Sequence, residues 1–533
     1  MLPPFGGDIL TLNGHTLSLT DIVQVSRHYQ PVRLDEAARF TMKASYEWVQ
    51  QASLSDRPVY GVNTGFGSLA RVRIPPSQSS LLSTNLIRSH SAGVGPIAPP
   101  EIARAMILLR ANALSKGVSG CRPLLVDTLL ELLNKDVLPV IPMQGSCGSS
   151  GDLAPLAHLG LVLIGDPLGE AVWRDQRLPA DKALKLAGIT PLKLEAKDGL
   201  AITNGAQLST ALAVFNISES EALIRAAEIA AAMSIDALLG VTRAFHPDVH
   251  RLRPYKGAID CASNLRTLLR GSQFVDSVPE KVQDAYSLRC TPQILGAVRD
   301  TLQFVRRQVS VEINAATDNP LILLNTEDDS QGDPSNKAFS AGMFHGEPIG
   351  MAMDMLKIAL CEVASLSERR LYRLTTGNLS QLLPPGLIGK DRPMFGMIVP
   401  QTTAAALVSE NKALGWPASI DSIPTCEDQE DHIAMSTVAS RRTREVLHNA
   451  RRVVAIELLS AAHALQFRKE QHPDRSLGQG VEQALSNVRA CIYDMPNDNP
   501  TIGDQIEELS LAVHDGRIFA DLPHLQGTTV EGS

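Results

Sequence analysis

Beyond residue 205, apolar residues recur at intervals of three and four positions through long Ala- and Leu-rich segments. This spacing places the apolar side chains on one face of a helix and predicts long amphipathic helices. No alternating strand pattern of comparable length competes with it. The sequence therefore predicts an all-α fold, a large bundle of long, nearly parallel helices. The predicted helices cover roughly 207–240, 294–316, 347–375, 400–413 and 435–468.

The chain before residue 205 is richer in loops. Helical spacing recurs over 34–54, and the segment 99–117 has prolines at its start and a glycine at its end, as a helix should. Asn13-Gly14 predicts a small hairpin that leads into a helix. Three glycines interrupt the pattern within 60–76 and predict a loop.

Neither an internal repeat nor a convincing linker divides the chain. We therefore expect one unit over 1–533, with an N-terminal portion (1–205), a central helical bundle (206–475) and a C-terminal portion (476–533). The polar segment 325–337 is expected to be an exposed insertion.

Composition narrows the class of protein. Hydrophobic residues make up 44% of the chain but aromatic residues only 4%, so the core must be built mainly from Ala, Leu, Ile and Val, which suits packed helices. The net charge of −8 argues against a nucleic-acid partner or an anionic membrane surface.

The cysteines and the apolar stretches suggest a cellular location. Seven cysteines are scattered without a C-x-x-C spacing, which favours free thiols over a disulfide framework or a zinc site, so no metal is expected. The N-terminus shows no secretory signal, and the apolar stretch 226–241 carries Glu228 and Asp236. We expect a soluble cytoplasmic protein with no membrane partner.

The stretch "GSCGSSGDLAPL" (145–156) calls for a chemical explanation. A Gly/Ser run is usually a flexible linker, but apolar sequence on both sides predicts that this one is buried. A phosphate loop needs a Lys where Asp152 stands, and a nucleophile elbow needs a Gly there. The surroundings also lack the βαβ setting of a dinucleotide site.

Self-modification is a remaining possibility. In Ser149-Ser150-Gly151, the amide nitrogen of Gly151 can attack the carbonyl carbon of Ser149 if the loop is tight, and only glycine leaves room for this approach. Loss of one water from the new ring and of another from the Ser150 hydroxyl leaves an exocyclic methylene, an electrophile.

This stretch resembles the prosthetic-group loop of the histidine and phenylalanine ammonia-lyase family, in which an Ala-Ser-Gly triad cyclises to 4-methylideneimidazole-5-one (MIO). The resemblance extends over nearly the whole chain. It rests on further ordered blocks: "YGVNTGFG" (60–67), "SHSAGVG" (89–95), "DGLAITNGAQ" (198–207), "QDAYSLRCTPQ" (283–293), "EINAATDNP" (312–320), "FHGEP" (344–348) and "SIDSIPTCEDQEDH" (419–432).

The resemblance implies an all-α ammonia-lyase whose MIO forms from Ser149, Ser150 and Gly151, with no external cofactor. It also implies a homotetramer with active sites shared between subunits and a small amino acid as substrate. Tyr60, otherwise an ordinary loop tyrosine, becomes the base that removes the β-proton, with a lowered pKa. Asn204, otherwise a turn residue, becomes a group that polarises the MIO.

The resemblance also assigns substrate contacts. Tyr286 approaches the MIO ring and Arg289 pairs with the substrate carboxylate, although the two can equally be an exposed pair on one turn. Phe344 is either core or a pocket wall. By itself "EDQED" is typical of a solvated acidic turn, but histidine-specific members carry Gln-Glu-Asp-His there. This implies that Glu430, after Gln429, meets an imidazole. Ser89-His90 is likewise the histidine-lyase form of the selectivity pair.

Three positions depart from the family pattern. Ser149 replaces the usual Ala, although cyclisation uses only the backbone carbonyl of that residue. Met343 stands where Asn is expected to help hold the substrate carboxylate, and a thioether cannot donate that bond. The segment 389–397 introduces Lys390, Asp391 and Arg392.

Because of these departures, alternatives stay open beside the deamination of L-histidine to trans-urocanate. One is the same chemistry on phenylalanine, tyrosine or ergothioneine, or a 2,3-aminomutase. A more remote one is an inactive homologue that acts as a binding protein.

Overall fold

The computed structural model describes residues 7–65, 67, 71–326, 337–389, 396–493, 495 and 500–527. Most of the predicted insertion at 325–337 lies outside the described residues, as do Lys390, Asp391 and Arg392.

Helices dominate the described chain. They are α1 (Leu19–Arg27), α2 (Glu36–Leu54), α3 (Ser79–His90), α4 (Pro100–Ser115), α5 (Pro123–Asn134), α6 (Leu153–Leu163), α7 (Ala180–Ala187), α8 (Asp198–Thr203), α9 (Gln207–Ala237), α10 (Pro247–Arg251), α11 (Lys256–Leu268), α12 (Tyr286–Arg289), α13 (Thr291–Glu312), α14 (Glu347–Thr375), α15 (Ile398–Leu414), α16 (Ser436–Gln471), α17 (Gln479–Tyr493) and α18 (Ile502–Asp515).

The strands of the described residues are short. They are β1 (Leu10–Leu12), β2 (Val32–Leu34), β3 (Val94–Ile97), β4 (Leu138–Pro139), β5 (Pro142–Gln144), β6 (Glu170–Trp173), β7 (Gln176–Pro179), β8 (Leu321–Ile322) and β9 (Ala338–Phe339). They pair as β1-β2, β3-β5, β4-β6-β7 and β8-β9. The all-α prediction is confirmed, and the five long predicted helices are α9, α13, α14, α15 and α16, with ends shifted by a few residues.

The predicted hairpin at Asn13-Gly14 is wrong. β1 pairs in parallel with β2, so the chain passes through α1 before it pairs. Asn13 marks a local turn instead, because its Oδ1 accepts hydrogen bonds from the backbone N–H groups of His15 (2.9 Å) and Thr16 (3.2 Å).

The described chain falls into two compact units. The first comprises 1–215, 307–354 and 417–441, and the second comprises 216–306, 355–416 and 442–533. These boundaries do not coincide with the predicted portions ending at 205 and 475. The prediction of a single functional lyase unit over 1–533 stays a prediction.

In the first unit, α6 packs against α3 and α8. The contact is apolar and tight: Ile87 and Ile202 are fully buried, and a Cβ built on Gly160 of α6 would lie 2.6 Å from Ile87 Cδ1. This packing fixes the start of α6, which begins two residues after Gly151. It also fixes the end of α8, which Asn204 directly follows.

The second unit has a core of Ala, Leu, Ile and Val in which charged residues are also buried. Glu228 and Asp236, the two acids in the apolar stretch 226–241, are both fully buried. Glu228 lies 3.4 Å from the Arg299 guanidinium, and its Oε2 accepts a 2.7 Å hydrogen bond from Asn264. Within the described residues, no helix is long and apolar enough to cross a bilayer.

Candidate active site

The Gly/Ser stretch forms a tight turn between β5 and α6. Gly145, Gly148 and Gly151 all have positive φ angles, of 116°, 71° and 74°. Ser149 is buried, so the linker interpretation does not hold. Gly151 forms a bridge with Gly205, and the N–H of Asp152 donates a 2.6 Å hydrogen bond to Gly205 O.

Glycine is required at position 151 for two reasons. Its φ of 74° lies in the left-handed region, which disfavours side chains. A Cβ at this position would also lie only 2.4 Å from Gly205 O. The Ser149–Gly151 backbone therefore forms a close turn, and any side chain at position 151 would displace Gly205.

Asp152 anchors this turn through hydrogen bonds to its side chain. Its fully buried carboxylate accepts hydrogen bonds from the hydroxyls of Ser146 and Thr437 on Oδ1, and from the N–H (2.9 Å) and hydroxyl (3.0 Å) of Ser209 on Oδ2. The anchor ties the turn to the first residues of both α9 and α16. The sequence analysis did not identify this role, although Asp152 is part of the quoted stretch.

A cavity of about 620 Å³ opens above the turn. Most of the residues that the sequence analysis singled out meet here. The cavity is lined by Tyr60, Gly67, Ser149, Ser150, Leu200, Asn204, Asn319, Ser340, Ala341, Gly342, Phe344, His345, Cys426, Gln429, Glu430, Asp431 and His432. All of them belong to the first unit.

Asn204 lies directly at the triad. Its Nδ2 donates a 2.9 Å hydrogen bond to the carbonyl oxygen of Ser150. Its Oδ1 is buried and has no hydrogen-bond partner among the described residues. Asn204 is thus placed to polarise the Ser150 carbonyl and offers an unused acceptor beside it.

Glu430 reaches the triad from a short loop closed by a bridge between Thr425 and Glu430. Its Oε1 accepts a short hydrogen bond from the Ser150 hydroxyl. Its Oε2 accepts from the hydroxyls of Ser149 (3.0 Å) and Thr425 (2.6 Å). Glu430 therefore belongs to the site and is not part of a solvated turn.

The charge state of Glu430 follows from these contacts. Burial alone raises the pKa of Glu430, but the hydrogen bonds from Ser150, Thr425 and Ser149, helped by His90, lower its pKa below the ordinary value. The site therefore contains a carboxylate that is ionised at neutral pH.

Tyr60 lines the cavity, and its hydroxyl accepts a 3.2 Å hydrogen bond from the Gly67 N–H. The resemblance implies a lowered pKa for Tyr60, and the structure contradicts this. Burial raises the pKa of Tyr60 and outweighs the Gly67 hydrogen bond, which lowers it; the charges of Cys426 and Glu430 add smaller increases. A buried phenol next to an anionic carboxylate resists ionisation.

Ser89 and His90 end α3. The Ser89 hydroxyl lies 3.0 Å from His90 Nδ1. Burial lowers the pKa of His90, against the opposing effects of a hydrogen bond to Leu86 and the charge of Glu430. His90 is thus a neutral imidazole near the Glu430 carboxylate at neutral pH.

The other predicted site residues take different places. Met343 is 49% exposed, and this part of the wall is built by its neighbours, including Phe344. Tyr286 and Arg289 belong to the second unit, where they form α12 and the Arg289 guanidinium lies 4.8 Å from the centre of the Tyr286 ring. The roles that the resemblance assigns to these three residues stay predictions.

Several residues of the cavity wall were not predicted from the sequence. Asn319 accepts a 2.7 Å hydrogen bond from the Ala341 N–H and donates to the Ser340 hydroxyl at 3.2 Å, which shapes one side of the cavity. Thr425, which holds Glu430, lies in one of the quoted blocks. Only the proximity of the folded segments reveals these contacts.

The family described as aromatic amino acid lyase matches residues 17–490. A histidine ammonia-lyase from Caldanaerobacter subterraneus subsp. tengcongensis is 47% identical over 490 residues, which cover 92% of this chain and 93% of that protein. The chain belongs to the aromatic amino acid lyase family.

Solved structures agree with this assignment. A histidine ammonia-lyase from Trypanosoma cruzi is similar with a TM-score of 0.87 and 34% identity, over 99% of both chains. A tyrosine aminomutase from Streptomyces globisporus is similar with a TM-score of 0.87 and 33% identity, over 96% of this chain and 98% of that chain. The fold is therefore shared by enzymes that differ in substrate and outcome.

Proposed function

We propose that this protein is a histidine ammonia-lyase, a carbon–nitrogen lyase that converts L-histidine to trans-urocanate and ammonia. One observation carries the choice of histidine. The ionised Glu430 carboxylate lies beside Ser149 and Ser150 in the cavity wall. An imidazole offers an N–H donor to such a carboxylate, whereas a phenyl ring offers none and would cover a charged group without adding a hydrogen bond to it.

The residues of the tight turn fit an MIO group. Cyclisation joins the Gly151 nitrogen to the Ser149 carbonyl carbon, and the Ser149 oxygen leaves as water. A second water carries away the Ser150 hydroxyl, and the Ser150 carbonyl is retained on the ring. The Gly151–Gly205 contact would hold the reacting atoms close, and Asn204 would donate to the retained carbonyl. When formed, the group supplies an electrophilic methylene that activates the substrate for loss of ammonia.

The chain's own residues would perform the remaining tasks. Tyr60, once deprotonated, removes the β-proton of the substrate, and the cavity wall around it excludes water. Glu430 and His90 orient the imidazole. Because the fold raises the pKa of Tyr60, we expect proton removal to become faster with rising pH.

We propose further that the working enzyme is a cytoplasmic homotetramer whose active sites are shared between subunits. In that assembly Arg289 pairs with the substrate carboxylate and Tyr286 approaches the ring. An Arg guanidinium suits this task because it can donate two parallel hydrogen bonds to a carboxylate.

Substrate turnover tests the proposal. Purified protein is incubated with L-histidine, L-phenylalanine, L-tyrosine or ergothioneine, and the unsaturated product is followed by ultraviolet absorbance together with released ammonia. We expect turnover of L-histidine and the absorbance of urocanate. Turnover of another amino acid but not of L-histidine would contradict the choice of substrate, and a β-amino acid product would identify an aminomutase.

The variant Tyr60→Phe separates the role of Tyr60 in turnover from the formation of the MIO group. We expect this variant to be lighter than the encoded chain by the two waters of cyclisation, like the parent, and to lose turnover by about 10²–10⁴-fold. A parent chain with its full encoded mass would exclude the MIO group and favour an inactive binding protein.

A further inference from the structure

The two oxygens of Glu430 have different partners. Among the described residues, Oε1 accepts a hydrogen bond from the Ser150 hydroxyl, whereas Oε2 accepts from Ser149 at 3.0 Å and Thr425 at 2.6 Å. The carboxylate is therefore anchored through one oxygen by two hydroxyls of fixed position. The other oxygen contacts a hydroxyl that the proposed cyclisation removes.

Loss of the Ser150 hydroxyl as water would leave Oε1 without its donor. Ser149 keeps its side chain, because cyclisation uses only its backbone carbonyl, and Thr425 is untouched. We propose that Ser149 is a positioning residue for substrate recognition: with Thr425 it holds Glu430 Oε2, so that Oε1 is turned toward the cavity and is free to accept the imidazole N–H. This inference rests on the proposed function.

The surroundings of Glu430 explain why a hydroxyl at position 149 matters. The titratable groups around it are His90 at the end of α3, Tyr60 on its loop, Cys147 before the triad, Cys426, Asp431 and His432 on its own segment, and His345, which lines the same cavity. Burial lowers the pKa of His90 and raises those of Tyr60 and Cys147. These three groups are neutral at pH 7, so the hydrogen bonds from the hydroxyls are the main effects that lower the pKa of Glu430.

Ser149 stands where the family usually has Ala, and the hydrogen bond to Glu430 Oε2 gives its hydroxyl a function. An alanine would leave Thr425 as the remaining hydroxyl on Oε2 after cyclisation. A carboxylate oxygen held by one hydroxyl occupies more orientations than one held by two, and each lost donor raises the pKa of the carboxyl group.

The binding test uses Ser150→Ala, which cannot form the group and lacks the hydroxyl, as the mature site does. L-Histidine and L-phenylalanine are titrated calorimetrically into this protein and into the same protein carrying Ser149→Ala. We expect L-histidine to bind about three- to tenfold more weakly without the Ser149 hydroxyl, with L-phenylalanine unchanged. Ser149→Thr in the same background keeps a hydroxyl and should restore the affinity for L-histidine.

The outcomes separate the inference from the proposed function. Equal affinity for L-histidine with and without the Ser149 hydroxyl would overturn the role of Ser149 and leave the proposed function standing. If Ser150→Ala bound L-phenylalanine but not L-histidine, both would fall. An equal loss of affinity for both ligands would show a general distortion of the site and would also overturn the positioning role.

A pH profile provides an independent readout in the complete enzyme. Ser149→Ala should still be lighter by two waters, since alanine serves equally in cyclisation. The pKa of Glu430 should rise in this variant. Tyr60 gives both enzymes the same pH dependence, so on acidification kcat/KM for L-histidine should fall below that of the parent by a growing factor. An unchanged acidic limb would contradict the inference.

Discussion

Gly151 and Gly205 are in such close contact that no side chain fits between them. Gly151 combines a left-handed φ of 74° with a gap of 2.4 Å between its virtual Cβ and Gly205 O. A left-handed glycine packed against a second glycine lets the backbone turn tightly enough to bring a nucleophilic nitrogen close to a carbonyl. The residue is therefore required both for the local backbone and for the proposed self-modification.

Gly151→Ala should abolish cyclisation, because the methyl group collides with Gly205 and opens the turn. We expect the intact mass of the variant to equal that of its own encoded sequence, without the loss of two waters expected for the parent, and turnover to be lost. The control is Gly503→Ala near the start of α18, where a Cβ would meet Thr501 Oγ1 at an ordinary 3.5 Å. A Gly151→Ala chain lighter by two waters would refute this account of the loop.

The place of Glu430 in the site could not be predicted from this residue and its sequence neighbours alone. Its acidic neighbours suggested solvated charge, and only the resemblance placed it at the substrate. The structure adds that three hydroxyls converge on its carboxylate, from residues five and 280 or more positions away in the chain. No periodicity or spacing in a sequence encodes such a contact.

At the scale of elements, the long helices carry acidic residues in their buried faces. Asp236, in the last turn of α9, is fully buried; its oxygens accept hydrogen bonds from the Ser272 hydroxyl (2.5 Å) and the Gly478 N–H (2.9 Å). Burial outweighs these bonds and raises the pKa of Asp236 to about 6. The helix end therefore becomes a pH-sensitive point of the second unit.

The sign of this effect follows from proton linkage. Between the unfolded pKa of 3.8 and the folded pKa of about 6, the folded chain holds a proton at Asp236 that the unfolded chain has released. The contribution of Asp236 to stability is therefore complete below pH 3.8 and is lost as the pH rises through about 6.

Asp236→Asn should remove this pH dependence. Between pH 8 and pH 5 the parent should gain about 1.4 kcal/mol in unfolding free energy that the variant does not gain. Urea unfolding at the two pH values measures the difference. Glu47→Gln, which changes an exposed carboxyl of α2, serves as the control and should follow the parent. Equal pH slopes for Asp236→Asn and the parent would contradict the assignment.

At the scale of the whole molecule, apolar helix packing is combined with buried ion pairs. Arg370 and Glu457 are both completely buried in the second unit. Arg370 donates two hydrogen bonds to the Glu457 carboxylate, at 2.6 and 2.8 Å, and the hydroxyls of Ser234 and Ser367 donate to the same carboxylate. Such a pair is costly to break, because the surviving charge has no water around it.

Glu457→Gln should lower the unfolding free energy by about 3–5 kcal/mol, since it leaves the Arg370 guanidinium buried without a counter-charge. Glu170→Gln is the matched control: it breaks an ion pair with Arg177 in which both side chains are about half exposed, and it should cost about 0–1 kcal/mol. Urea unfolding of the two variants provides the comparison. Similar losses for both would show that the buried pair contributes no more than a surface pair.

The helical character of the molecule could be predicted because it is a local property. Apolar residues at intervals of three and four positions form one face of a helix whatever lies opposite, so α9, α14 and α16 follow from the sequence alone. The hairpin at Asn13-Gly14 failed for the complementary reason. The dipeptide specifies a turn, but the strand that pairs with β1 is β2, on the far side of α1.

The sequence by itself determined the helical class, the Ser149-Ser150-Gly151 triad and the family to which the chain belongs, because these depend on periodicity and on ordered runs of residues. The tertiary structure decided which side chains share the cavity, that three hydroxyls lower the pKa of Glu430, and that burial raises the pKa of Tyr60. Burial and hydrogen bonding set those properties. Both arise only when segments distant in the chain are packed together and water is excluded from between them.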